Sequence, residues 1–177
     1  MSRVDGRLPN DAYWVEPARI MAGPYPGARD PAQVEPKLAA LLEAGVRTFI
    51  DLTEEDEGLD PYAEVARDVA AERGVEIAHL RFPIRDVSIP TAELMRETLT
   101  AIRAAAAGAL PYIHCWGGVG RTGTVVGCLL IEDGVAPDDV IARIRLLRAG
   151  TNRATRRSPE TDAQEQFVLA WAAGSAS

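Results

Sequence analysis

The sequence predicts an α/β protein with a single central, mostly parallel sheet of four to five strands flanked by helices. Three observations carry that prediction. Short strands alternate with helical stretches of ten or more residues, the stretch VRTFIDL reads as a continuously buried strand, and no repeat, low-complexity tract or linker divides the chain. With 177 residues, 47% of them hydrophobic and 25% charged, the composition is that of an ordinary globular chain. A chain of this length buries roughly 70% of the surface it would expose unfolded. One domain is expected over residues 1–177, with an ordered core over about 12–172 and a frayed tail at 173–177.

The elements follow in order. Tyr13 to Val15 and Arg19 to Ala22 read as short strands with a turn at Glu16-Pro17, and PYPGARD (24–30) reads as a loop. Asp30-Pro31 opens a helix that Gly45 stops, because Pro suits the first helical position and Leu38, Leu41 and Leu42 keep helical spacing. VRTFIDL (46–52) is the next strand, and the acidic run TEEDEGLD (53–60) reads as a solvated loop. A helix over Pro61 to Arg73 ends at Gly74 and leads into the strand VEIAHLRF (75–82), which completes a β-α-β unit. A second unit runs through the loop PIRDVSIP (83–90), a helix from Thr91 to Ala107 and the strand LPYIHC (110–115). Helices are then expected over Arg121 to Glu132, Pro137 to Leu147 and Pro159 to Trp171.

Composition narrows the function. A formal charge of -7 and a pI near 4.9 argue against a general nucleic-acid binder, which needs a basic face. The exception is local, a cluster of arginines between Arg145 and Arg157. Lys37 is the sole lysine beside eighteen arginines, a bias expected of a GC-rich bacterial genome. The longest apolar run, near Val125 to Ile131, falls far short of the ~20 residues that span a bilayer, so no membrane partner is expected. Two cysteines, Cys115 and Cys128, and no leader segment suggest a cytoplasmic protein with reduced thiols.

Chemistry concentrates at HCWGGVGRTG (114–123). A strand that ends in Cys115 and re-emerges as a helix at Arg121 curls its backbone N–H groups inward, and the new helix adds its unpaired N-terminal donors. Such a nest binds an oxyanion. Three of the five positions between Cys115 and Arg121 are glycine, so Trp116, Gly117, Gly118, Val119 and Gly120 can wrap a phosphate closely. Arg121 adds a planar fork that holds two phosphate oxygens at once. The same donors favour a thiolate, the nucleophilic form of cysteine. Cys128, on the apolar side of the following helix, reads as core.

The stretch resembles the HCxxGxxR[ST]G signature of the cysteine-dependent protein tyrosine and dual-specificity phosphatases. VRTFIDLTEE, FPIRDVSIP and SPETDAQEQFVLAW extend the resemblance to the compact bacterial dual-specificity-like members, from Trp14 to Trp171. The resemblance implies the phosphatase fold and a phosphocysteine intermediate. It assigns Cys115 as nucleophile, Arg121 as phosphate ligand, Thr122 as the hydroxyl that stabilises the departing thiolate, and His114 as the residue that orients the loop and tunes the thiol. Asp86 matches the general acid, and Gln164 matches a glutamine that positions the hydrolytic water, with Gln166 two residues away. No cofactor and no metal are implied.

The substrate is expected to be a phosphorylated protein or a small phosphomonoester. Phosphotyrosine should react best, phosphoserine and phosphothreonine more slowly, and inositol polyphosphates poorly, because no lysine lies in the loop. Trp116 departs from the family pattern, where a smaller or polar residue is usual, and no KNRY-type phosphotyrosine clamp is present. The alternatives are an inositol polyphosphate or phospho-metabolite phosphatase on the same scaffold and a catalytically dead phosphate-binding module. The oligomeric state is not legible.

Overall fold

The computed structural model describes residues 7–174. Five strands form one sheet: β1 (Tyr13–Glu16), β2 (Ile20–Gly23), β3 (Val46–Asp51), β4 (Ala78–Arg81) and β5 (Leu110–His114), in the order β1-β2-β5-β3-β4. Only β1 runs antiparallel, because its short turn into β2 leaves no room for a crossover. The other neighbours are parallel. Six α-helices flank the sheet: α1 (Pro31–Glu43), α2 (Ala63–Glu72), α3 (Ala92–Ala106), α4 (Gly120–Glu132), α5 (Pro137–Leu147) and α6 (Asp162–Gly174). The predicted fold class stands.

Alternation along the strands builds two cores. Met21, Phe49 and Tyr112 point to one face and pack with α1 and α2 through Leu38, Leu41, Tyr62 and Ala66. Their neighbours Ala22, Ile50 and Ile113 point to the other face and meet Met95 and Leu99 of α3, Val125 and Leu129 of α4, Ile144 of α5 and Val168 of α6. Cys128 lies fully buried in this second core. Among the described residues no helix is long and apolar enough to cross a membrane.

Element ends follow local chemistry. Asp30 caps α1, its carboxylate accepting from the Ala32 N–H at 3.1 Å with Pro31 next in line. The strand expected from residue 75 begins only at Ala78. Gly74 takes a left-handed φ of 66° and the Val75 N–H turns back to the Ala70 carbonyl, so these residues close α2 instead. The last helix starts at Asp162 rather than Pro159, because Thr161 and Gln164 form a capping box. The Gln164 N–H donates to Thr161 Oγ1, and Gln164 Oε1 accepts from the Thr161 N–H, both at 3.2 Å. Of the tail expected to fray, residues 175–177 lie outside the described residues.

The sheet positions the site through register. Gly23 at the end of β2 and Asp51 at the end of β3 both pair with His114 at the end of β5. Three parallel strands therefore finish side by side, at the carboxyl edge where open α/β sheets bind ligands.

Candidate active site

Cys115 follows β5 directly and is buried, and Thr122 Oγ1 donates to its Sγ at 3.1 Å. The chain then loops through Trp116 to Val119 and enters α4 at Gly120. Gly118 adopts a φ of 67°, which disfavours a side chain, and a Cβ there would lie 2.5 Å from the Gly23 backbone, which leaves no space for one. The Tyr25 N–H donates to the Trp116 carbonyl at 2.9 Å and fixes the loop from outside. Ser158 Oγ donates to the Val119 carbonyl at 2.7 Å and fixes it from below.

Arg121 is only 1% exposed. Its guanidinium donates to both oxygens of Glu57, to the Ile84 carbonyl at 3.0 Å, and lies 3.1 Å from Asp86 Oδ1. Burial disfavours its charged form, but the Glu57 hydrogen bonds and surrounding negative charge win and raise its pKa. Its Nε–H is buried and has no partner. Glu57 corrects the sequence reading: the 53–60 run is not simply solvated, since one of its carboxylates grips the arginine of the loop. Nothing in the residue pattern separates Glu57 from its acidic neighbours; only the folded register selects it.

A polar network lies behind the nucleophile. Burial pushes His114 down to about 4, against the attraction of Asp51, so the ring is neutral at pH 7. The Cys115 carbonyl, 3.3 Å from Nδ1, can only accept, so Nδ1 carries the proton and Nε2 accepts from the Tyr62 hydroxyl at 2.6 Å. Asp51 is buried as well. Burial alone would raise its pKa, but hydrogen bonds to His79 and Thr53 and the proximity of His114 hold its carboxyl well below the usual range. Arg81 adds further contacts to Asp51 Oδ2 at 3.2 and 3.3 Å. Tyr62 and His79 were not singled out from the sequence as site residues, and Asp51 only as the start of the segment that would stand in for Asp86.

These two groups predict an acid-labile site. The His114 imidazole takes up a proton near pH 6.5 when unfolded but only near pH 4 when folded, so stability falls as pH drops through that window, by on the order of 3 kcal/mol. Asp51 is depressed in the folded state, so its contribution is present above pH ~4 and is lost below it. Urea unfolding between pH 7 and 4.5 measures the first effect. His114→Gln should remove much of that slope; an unchanged slope would exclude His114 as its origin.

The remaining expected residues lie around this centre. Asp86, 60% exposed, sits at the mouth of the site, followed by Val87 with a φ of 53°. Gln164 is buried. Its Oε1 accepts from the Glu160 and Thr161 N–H groups, and its Nε2 donates at 3.0 Å to the carbonyl of Ser88, two residues beyond Asp86. Gln166 is exposed on the same helix. The arginine cluster divides: Arg156 pairs with Glu160, and Arg157 with Asp162 and Glu165, whereas Arg153 reaches the nucleophile loop. There its NH1 donates to the Gly117 carbonyl at 3.0 Å and its guanidinium carbon stands 5.5 Å from the centre of the Trp116 ring. Buried Arg148 holds that segment by donating to the carbonyls of Arg153 and Arg156. A cleft of about 850 Å³ opens beside the loop, lined in part by Tyr25, Glu57, Asp86, Trp116 and Arg153. Among the described residues no cluster of three or more His, Cys, Asp or Glu is arranged to hold a metal ion.

The sequence and fold match known proteins. A family model described as the Swiss Army Knife protein DSP-PTPase phosphatase domain (PTP-SAK) matches residues 9–168. Among solved structures, Tk-PTP in its active form is 25% identical with a TM-score of 0.68, over 92% of this chain and 97% of that one. Kinase associated phosphatase, with its catalytic cysteine replaced by serine, superposes at a TM-score of 0.73 with 19% identity, over 96% and 98% of the two chains. The core catalytic domain of the PP-IP phosphatase SIW14 from S. cerevisiae, bound to citrate, gives 0.65 with 16% identity, over 93% and 87%. At those identities the last two share the fold. The match over residues 9–168, with Cys115 at the end of β5 in a mostly parallel sheet, makes this chain a member of the DSP-PTPase family of cysteine-dependent phosphatases.

Proposed function

We propose that the protein hydrolyses phosphomonoesters at Cys115 by a two-step transfer, acting on phosphotyrosine faster than on phosphoserine or phosphothreonine. The observation that carries this reading is the buried, unpartnered Arg121 Nε–H beside the nucleophile loop. An orphaned buried donor is costly, and a phosphate oxygen seated in the loop would satisfy it.

In the first step the Cys115 thiolate attacks phosphorus, the P–O bond to the leaving group breaks, and Asp86 gives its proton to the departing oxygen. The backbone N–H groups of residues 116–121 and the Arg121 fork stabilise the charge gathering on the equatorial oxygens. A substrate phosphate that engages Arg121 replaces the Asp86 contact and leaves that carboxyl beside the leaving group. In the second step water attacks the phosphocysteine, Asp86 takes its proton, and the sulfur leaves as a thiolate that accepts a hydrogen bond from Thr122 Oγ1. His114, neutral and held between Tyr62 and the Cys115 carbonyl, keeps the loop oriented. Gln164 has both ends of its amide engaged, so its part is to fix the Asp86 loop through Ser88 rather than to orient water.

Aryl esters are favoured because phenoxide is a better leaving group than alkoxide and needs less help from Asp86. Removing that acid tests the scheme. Asp86→Asn should lower kcat on alkyl phosphates by about 10²–10⁴-fold, and much less on p-nitrophenyl phosphate. The wild-type pH profile is expected to be bell-shaped, and the variant should lose its basic limb. An unaltered profile would move the acid role to another carboxylate, with Glu57 of the cleft lining next in line, ahead of the 51–56 segment the sequence alone would name. Turnover of p-nitrophenyl phosphate by the wild type separates an enzyme from a phosphate-reading module.

A further inference from the structure

The cleft beside the nucleophile loop is far larger than one phosphate requires; its volume of about 850 Å³ lies in the range of sites that enclose whole small-molecule ligands. Its lining includes three cations, Arg29, Lys37 and Arg153. Among the described residues the side chains of Arg29 and Lys37 form no hydrogen bond or ion pair, and the Arg153 side chain uses only NH1, on the Gly117 carbonyl, leaving its Nε and other terminal nitrogen without a bond. Four carboxylates share the cleft: Glu57 and Asp86 are already engaged by Arg121, Asp11 accepts from the Asn152 N–H, and Asp60 offers only its backbone carbonyl, to the Tyr25 hydroxyl. Three cations with no ion-pair partner among the described residues therefore stand on the cleft wall, outside the phosphate nest.

We infer that Arg153, with Arg29 and Lys37, forms a second anion subsite, and that the cleft takes a compact phosphomonoester carrying a second phosphate on a small polar ring. The inference rests on the phosphatase reading of the nest, since the first phosphate occupies it. Sequence reasoning expected such substrates to be poor because the loop lacks lysine. The folded chain supplies the cations from elsewhere, one from the segment after α5, one from the loop before α1 and one from α1 itself. Arg153 is held in position on two sides, since Arg148 grips its backbone carbonyl and Trp116, 54% exposed, lies against its guanidinium. An acidic phosphopeptide fits less well. An extended peptide would have to leave the cleft, where the three cations lie, whereas a compact bisphosphate stays within its lining.

The experiment compares kcat/KM on a myo-inositol monophosphate, a myo-inositol bisphosphate with phosphates across the ring, and the same bisphosphate headgroup on phosphatidylinositol in vesicles. The wild type should prefer the soluble bisphosphate over the monophosphate by about tenfold or more, the scale of one charge-assisted contact. Arg153→Gln, and separately the double variant Arg29→Gln/Lys37→Gln, should bring that preference towards one. The double variant leaves the Gly117 contact intact and so guards against a loop merely distorted by losing Arg153. Equal rates on the two soluble esters, or a preference that survives both variants, would overturn the subsite. A vesicle headgroup that outruns the soluble one would identify a lipid as the source of the bisphosphate; the reverse order would identify a free metabolite. Calorimetric binding of both soluble esters to Cys115→Ser reads the subsite without turnover, so a failure of the catalytic reading, seen as no hydrolysis of p-nitrophenyl phosphate, remains distinct from a failure of this one.

Discussion

Cys115→Ser should lose at least about 10⁴-fold in kcat while still binding phosphate analogues such as tungstate, a pairing that few other substitutions in this chain would give. Serine fills nearly the same volume and preserves the hydrogen-bonding partner of Thr122. The nest of N–H groups, the Gly118 turn and the Arg121 fork do not depend on sulfur. What disappears is the only group at the end of β5 able to form a bond to phosphorus, because a hydroxyl there has no adjacent base: the nearby imidazole is turned away towards Tyr62 and the Cys115 carbonyl. Stopped assays with radiolabelled substrate should also fail to trap a phosphoenzyme. A variant retaining a tenth of wild-type kcat would exclude Cys115 as nucleophile.

Arg121→Lys should give the opposite signature, losing catalysis and analogue binding together. Lysine keeps the charge but not the fork, and the fork here points three ways. It engages both oxygens of Glu57, donates to the Ile84 carbonyl and presents a free Nε–H to the site. An ammonium can point in only one of these directions. We expect kcat/KM to drop by about 10³-fold, the scale of losing one preorganised oxyanion donor. Stability should suffer too, because Glu57 would be left beside the cleft without its bidentate partner. Fluorescence-detected tungstate binding and urea unfolding measure the two effects. Wild-type affinity for tungstate in this variant would place the phosphate on other donors.

The fold was legible because its signals are local. Asp30-Pro31, Gly45, Gly74 and Thr91 mark helix ends by capping and turn chemistry that acts within a few residues, and the strands between them are apolar enough to be read directly. The nucleophile loop was legible for a related reason: Cys115, its glycines and Arg121 act as one contiguous unit. What the sequence hid was every partner brought in from a distance. Glu57 looks like its acidic neighbours, Tyr62 like any core aromatic, and Asp51 like the end of a strand. Their roles exist only once β3 and β5 finish side by side. Arg153 shows the intermediate case: the cluster was visible, but which arginine turns inward depends on Arg148, whose burial no local pattern announces.

The packing of Gly118 against Gly23 also has a consequence for synthesis. β2 emerges from the ribosome early, yet its only parallel partner, β5, and the loop that seats on Gly23 and Tyr25 come much later in the chain. At ~5–20 residues per second the β1-β2 hairpin must wait for seconds with one edge unpaired. A two-stranded hairpin is marginal in water by itself, so this segment remains unstructured until translation has passed α4. Slowing the ribosome between α1 and β5 should therefore lengthen an aggregation-prone interval and lower the soluble yield, even though every residue of the finished enzyme is unchanged.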